Sequence, residues 1–345
     1  MAAAGRLTPP EWARYADPAT ELEVLRLTDP AFTSGMSAPH LRQFTRRSES
    51  LLYWSERAAA DSPGPRQAFL FDLKLGGSRQ LTSAAALDPS SLTFSADERS
   101  VLFFDGPALN EMPLSGAHRE VHHVPDGATR TGFTVGTDGS LLFAEREKGR
   151  SRIVSIVRQT ARRVLETDQE IDGLMARPRR LQVLYRAGGQ LWIVNTDGSG
   201  KRQLKTAPGQ TGGAMWIPSG RTVIYLHTPD DPKELVTLRE NSPDEGTDKL
   251  LAKTSQFVSV APNADASVFT GASRSKANAY VLILLRAVRR ELTLCEHHAS
   301  DPAMVQPVFT PDSQSILFVS DRHGKPAVYE VRVARFVEET SAEPA

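Results

Sequence analysis

The chain has 345 residues, 41 Lys and Arg against 41 Asp and Glu, one cysteine, and 40% hydrophobic residues with 7% aromatics. Zero formal net charge excludes the globally basic surface of a nucleic-acid or anionic-membrane binder. A lone cysteine, Cys295, excludes an internal disulfide and a cysteine-built zinc site.

The length suits two average domains or one large β unit. No apolar run approaches the ~18 residues of a membrane span, and residues 1–10 lack a signal-peptide core, so the expectation is a cytoplasmic protein.

In chain order the predicted elements are nearly all short strands. The first, Val24-Leu25-Arg26-Leu27-Thr28, stands alone. Phe44-Thr45 then leads to apolar runs at 51–55 and 68–73 and a polar-ended strand at 79–82. The unit recurs: Phe94 leads to 101–104, Phe133 to 141–143, Met175 to 183–185 and 191–194. Trp216 leads to 223–226, Ala261 to 267–269 and 280–283, and Phe309 to 316–320 and 327–331. Outer strands at 163–165, 202–205 and 290–293 end three of these units; residues 159–170 fit the pattern least well.

Short strands repeating about every 40–50 residues predict propeller blades. Seven units use nearly the whole chain. The seventh lacks an outer strand, and the orphan at 24–28 would supply it, leaving no open edge between first and last blades. The predicted fold is therefore all-β: a single seven-bladed β-propeller over residues 22–336, closed by an N-terminal strand, with tails at 1–21 and 337–345.

With these repeats in place, the chain resembles the oligogalacturonate lyase family, whose seven-bladed propellers are relatives of the TolB-type (PD40) repeat. Two stretches carry the resemblance. One is Leu191-Trp192-Ile193-Val194-Asn195-Thr196-Asp197-Gly198 with Lys205-Thr206 and Trp216-Ile217-Pro218; the other is Pro307-Val308-Phe309-Thr310-Pro311-Asp312 through His323-Gly324-Lys325-Pro326-Ala327-Val328-Tyr329. The resemblance implies β-elimination on pectin-derived oligouronides, in which a base removes a weakly acidic proton and a cation stabilises the enediolate. It further implies manganese held by three His and a Gln, with a separate His as base and an Arg assisting.

Each of those positions holds something else here. The family's base position falls on Gly213 and its Arg on Gln190. The metal-ligand positions fall on Ser259, Asp301, Met304 and Gln306. A thioether is a poor ligand for Mn²⁺, and Asp301 with Gln306 would give too few oxygens for a tight site. The expectation is therefore no catalytic residue and no cofactor, unless manganese returns through a site rebuilt from Asp301, Gln306 and His297 or His298.

Other candidates read as structure. His122-His123 would point to opposite faces of a strand, His227 would be a bonded blade-edge residue, and His323 belongs to a turn. Trp216 occupies a repeat core position. Arg177-Pro178-Arg179-Arg180 reads as a charged turn, the alternative being contact with an anionic ligand. No Gly-x-Ser-x-Gly elbow, P-loop or dinucleotide fingerprint occurs.

Three functions follow as expectations. The first is a catalytically degenerate propeller binding an oligosaccharide or small acidic ligand in its channel through Gln190, Asp301 and Gln306. The second is an active lyase with a rebuilt metal site. The third is a TolB-like scaffold with a protein partner at the rim. None involves nucleic acid or membrane.

Overall fold

The computed structural model describes residues 5, 7–57, 63–253, 257–275 and 277–337. Of the expected C-terminal tail at 337–345, residues 338–345 lie outside them. The described strands form seven antiparallel sheets. Blade 1 consists of Ser34–Gly35, Ser50–Arg57, Pro63–Asp72 and Ser78–Gln80. Blades 2 to 6 follow at residues 87–123, 129–167, 171–203, 210–253 and 261–296, four strands each. Blade 7 takes Val308–Phe309, Ser315–Ser320 and Ala327–Arg332, and is completed by Glu23–Arg26, with Val24 opposite Val331 and Arg26 opposite Tyr329. The fold is the predicted seven-bladed propeller with its N-terminal closure.

Apolar clusters lie between neighbouring blades around the ring. One joins blades 7 and 1 through Leu27, Phe44, Tyr53, Phe71 and Leu317. Another joins blades 6 and 7 through Val24, Ile283, Phe318 and Tyr329. Equivalent clusters occupy the other five interfaces. A middle strand is thus buried on both faces, and Ser315–Ser320 is buried throughout. This explains runs such as Ile316-Leu317-Phe318-Val319, since strict alternation belongs to strands with one wet face.

The innermost strand of every blade ends in the same turn. In blades 1, 2, 5, 6 and 7 the N–H of Thr45, Ser95, Ile217, Asn263 or Thr310 donates to the carbonyl five residues on. Arg177 does the same in blade 4, and Gly136 bonds Ser140 in blade 3. Each turn needs a left-handed residue, supplied by glycine at Gly139 (φ 77°) and Gly220 (φ 68°) but by Ser48, Glu98, Arg179, Ala266 and Ser313 elsewhere. Hydroxyls at the turn entrance secure it: Thr310 Oγ1 donates to Asp312 and accepts from the Ser315 N–H.

Residues 7–16, expected within a tail, carry two strands. Ala13–Ala16 pairs outside Glu23–Arg26, and Leu7–Thr8 pairs outside Ser78–Gln80. The N-terminal segment therefore covers the outer edges of blades 7 and 1, the two blades that meet at the closure. Arg57 ties it down through an ion pair with Glu11 at 2.5 Å. No described helix is long and apolar enough to cross a membrane.

Candidate functional site

The antiparallel order gives the propeller two distinct faces. Inner strands enter at one, the entry face, and turn at the other, the turn face. A seven-residue strand spans roughly 20 Å, so the two faces are separate environments.

All the positions implied by the resemblance lie toward the entry face. Gly213 sits in a bulge of Gln210–Trp216, exposed and with φ 54°. A side chain there would start from the left-handed region that glycine tolerates best. Ser259 precedes the inner strand of blade 6, and Met304 and Gln306 precede that of blade 7. Asp301 caps the short 3-10 turn Pro302–Met304, its carboxylate accepting the Ala303 N–H at 2.9 Å. Met304 packs against the cluster between blades 6 and 7, and the exposed Gln306 donates its amide to the Ala303 carbonyl. Gln190 opens the third strand of blade 4, where its Oε1 accepts from Thr206 at 3.4 Å and Gln203 at 3.5 Å.

The histidines offered for a rebuilt centre are engaged elsewhere. His297 is fully buried; its Nδ1 accepts the Ala299 N–H at 3.0 Å, which places the ring proton on Nε2. Burial pushes its pKa down to about 4. His298 pairs with Glu296 at 2.7 Å. Asp321, rather than Asp301, binds this loop, accepting the N–H and hydroxyl of Ser300. Among the described residues no three His, Cys, Asp or Glu side chains are grouped to hold a metal ion.

The remaining candidates are structural. His122 packs on Phe143 while His123 faces Glu120, on opposite sides of their strand. His227 bridges the Pro208 carbonyl and Thr237. His323 bonds the Tyr329 hydroxyl and stands edge-on to Tyr15. Trp216 is buried in the cluster between blades 4 and 5. The Cys295 thiol is buried, which drives its pKa far up and leaves it unreactive.

Arg177 is the notable member of the 177–180 segment. It is 2% exposed, and its guanidinium grips both oxygens of Asp244 at 2.8 and 2.6 Å, Gln182 at 2.7 Å and the Gly220 carbonyl at 2.7 Å. It also lies over the Trp216 ring. It is a strut between blades 4 and 5, while Arg179 faces the channel.

The main cavity, about 900 Å³, lies at the turn face. Its walls come from the inner-strand ends of all seven blades, and Gln190, Asp301 and Gln306 are not among them. His40, Arg42 and Arg46, which sequence reasoning passed over, are. His40 bonds the Phe133 carbonyl at 3.1 Å, and burial lowers its pKa, so it is neutral. Arg42 and Arg46 flank the blade-1 marker Phe44; that repeat position was the available signal.

A ring of seven antiparallel blades, closed by an N-terminal strand and opening on a central channel, defines a seven-bladed β-propeller. No family model matches the chain. It is 23% identical over 395 aligned residues, 96% of this chain and 98% of the other, to an oligogalacturonide lyase from Pectobacterium atrosepticum. The solved structure of an oligogalacturonate lyase in complex with manganese superposes with a TM-score of 0.88 at 22% identity, covering 96% of this chain and 98% of that one. Likeness to TolB from Acinetobacter baumannii is more distant: TM-score 0.52 and 16% identity, covering 72% of this chain and 64% of that one. The resemblance carried by the two sequence stretches thus extends along nearly the whole chain, in sequence and in fold, to the oligogalacturonate lyases.

Proposed function

We propose that this propeller binds an acidic oligosaccharide and does not perform the manganese-assisted elimination of the lyases it resembles. The observation that carries the reading is Gly213: the position of the base has no side chain to take a proton. The donor set supports it. Ser259, Asp301, Met304 and Gln306 offer a hydroxyl, a carboxylate already capping a turn, a thioether packed on the core and an amide bonded to its own loop. Mn²⁺ favours imidazole, carboxylate and carbonyl donors held together. These residues do not fit the ion.

The other readings find less support. His297 is fully buried with its Nδ1 taken by the Ala299 N–H, and His298 Nε2 is paired with Glu296, so one nitrogen of each ring is already engaged away from a rebuilt centre. The large exposed apolar side chains among the described residues are distributed over blades 1, 3, 4, 5 and 6 (Leu7 and Leu75, Val157, Leu181, Leu235 and Leu250, Val288) with Phe336 beyond blade 7, whereas a protein-docking rim would gather such residues into a patch.

The test is absorbance of the unsaturated uronate, using trigalacturonate with added Mn²⁺ and an active lyase run in parallel, together with calorimetric titration of the same sugar. Binding with a flat absorbance trace is expected. A metal-dependent rise that Asp301→Ala abolishes would overturn the proposal.

A further inference from the structure

The inner strand of blade 1 is interrupted beside the channel. It pairs with the second strand at Ser34 opposite Ser55 and Gly35 opposite Trp54, and again where Gln43 accepts the Leu52 N–H and Phe44 stands opposite Leu51. Residues 36–42 therefore face Tyr53 alone and loop out of the blade. Within the loop the Leu41 N–H donates to the Ala38 carbonyl at 2.9 Å, closing a β-turn whose central residues are Pro39 and His40; proline favours the first of those two places. We propose that this turn presents His40 to a ligand: its Nδ1 accepts a hydrogen bond from a hydroxyl of a sugar bound in the channel cavity, on the face opposite the lyase-equivalent positions. This contact rests on the function proposed above and adds which residue reads the sugar and where.

The loop is held at both ends. Gln43, 2% exposed, closes its base: the side-chain oxygen accepts the Ser37 N–H at 2.9 Å and the amide donates to the Ala38 carbonyl at 3.2 Å. Trp54 Nε1 donates to the Met36 carbonyl at 3.1 Å. Beyond the turn, Leu41 is buried in the cluster between blades 2 and 3, with Phe104 and Phe133. The Arg42 N–H then donates to Thr93 Oγ1 at 3.0 Å, and the Arg42 carbonyl accepts the Phe94 N–H at 2.9 Å. A turn fixed at this many points has little freedom left to lose when a ligand arrives.

His40 Nε2 lies 3.1 Å from the Phe133 carbonyl, which can only accept, so the ring proton sits on Nε2 and the Nδ1 lone pair is an acceptor. Nδ1 has no partner among the described residues and is not sealed from solvent, and His40 lines the cavity. Burial disfavours the imidazolium and so preserves that acceptor. The charged groups on the same wall are engaged by the protein. Arg42 and Arg46 meet Glu98, Arg177 meets Asp244, Asp265 accepts from Ser267, and Arg179 has a partner of its own. Among these groups the unmatched atom is the His40 lone pair, which selects a hydroxyl donor over a carboxylate. Pro178, Pro218, Pro262 and Pro311 also line the cavity and offer rigid apolar faces to sugar C–H groups. At about 900 Å³ the cavity has the size of an ordinary small-ligand site.

Two amide substitutions separate this contact from a structural role. In His40→Gln the amide reaches the Phe133 carbonyl as Nε2 does, and the acceptor at the Nδ1 position is lost; in His40→Asn the side-chain oxygen stands at the Nδ1 position, and the bond to Phe133 is lost. In calorimetric titration of the full chain with trigalacturonate, His40→Gln should bind roughly five- to tenfold more weakly and His40→Asn within about threefold of the unaltered chain. Gln306→Ala should bind normally. A measurement that needs no folded variant uses the unaltered chain with ¹⁵N-labelled histidine: saturating sugar should move the His40 Nδ1 resonance, and an unmoved resonance would refute the contact. Loss in His40→Asn alone, or equal loss in both variants, would mean that His40 acts through Phe133 and would also refute it. Normal binding by both variants with loss in Gln306→Ala would put the sugar on the entry face: the contact falls and the function stands. If the unaltered chain binds no trigalacturonate, both fall.

Discussion

Arg177→Ala is the sharpest test of how neighbouring blades are held together. The substitution deletes a buried guanidinium that makes four hydrogen bonds to Asp244, Gln182 and the Gly220 carbonyl. Removing one partner of a buried ion pair costs about 3–5 kcal/mol when the other is stranded. Asp244 is half exposed and can rehydrate, which reduces the cost. The Gln182 and Gly220 acceptors and the contact with Trp216 add to it, the last by about 1 kcal/mol. The expected loss is about 2–4 kcal/mol, read as a lower urea midpoint at unchanged slope. Arg177→Lys should restore less than half, because an ammonium cannot form the two-pronged contact.

The effect carries a pH signature. Hydrogen bonding from Arg177 holds the Asp244 carboxyl below the usual carboxylate range. A depressed folded-state pKa means the stabilisation is complete above the unfolded carboxylate value and is lost as pH falls through the folded one. The gap between native chain and variant should therefore narrow in acid. Unfolding of Arg177→Ala within about 0.5 kcal/mol of the native chain at neutral pH would refute the strut, that being the range of a neutral surface change.

Two further outcomes are expected. Val24→Ala, at the one fully buried position of the closing strand, should cost about 2 kcal/mol of unfolding free energy from lost methyl burial and the space left behind. Leu7→Ala, at an exposed site in the same N-terminal segment, should change stability negligibly; equal losses would mean that the closing strand is not what holds the ring. His297, buried and neutral with a pKa of about 4, binds a proton more readily once unfolded. Stability should consequently fall as pH drops from about 6.5 toward 4, by up to about 3 kcal/mol from this group. His297→Gln should flatten that part of the profile, and an unchanged profile would refute the assignment.

The blades were legible because a strand packed between two others writes an unbroken apolar run, and because each inner strand ends in a turn with its own polar signature, as in Thr310-Pro311-Asp312-Ser313. The closing strand could be read for the same reason: Val24 and Leu27 are core residues. The strands at 7–8 and 13–16 could not, since they attach to blade edges through backbone hydrogen bonds and bury their side chains only partly. A backbone contact leaves no pattern of residue types.

The site divides along the same line. The residues that the resemblance sets at catalytic or ligand positions, Gly213 and Met304 among them, are read one by one from the sequence. Whether an arginine in a turn is a strut or a ligand contact depends on what faces it. Arg177 meets Asp244, 67 residues further on, while Arg179, two positions away, meets the channel. The cavity is assembled from seven turns that no local stretch of chain contains. Short-range preferences write strands and turns, but only closure of the ring brings those turns to one mouth and sets what each of their side chains faces.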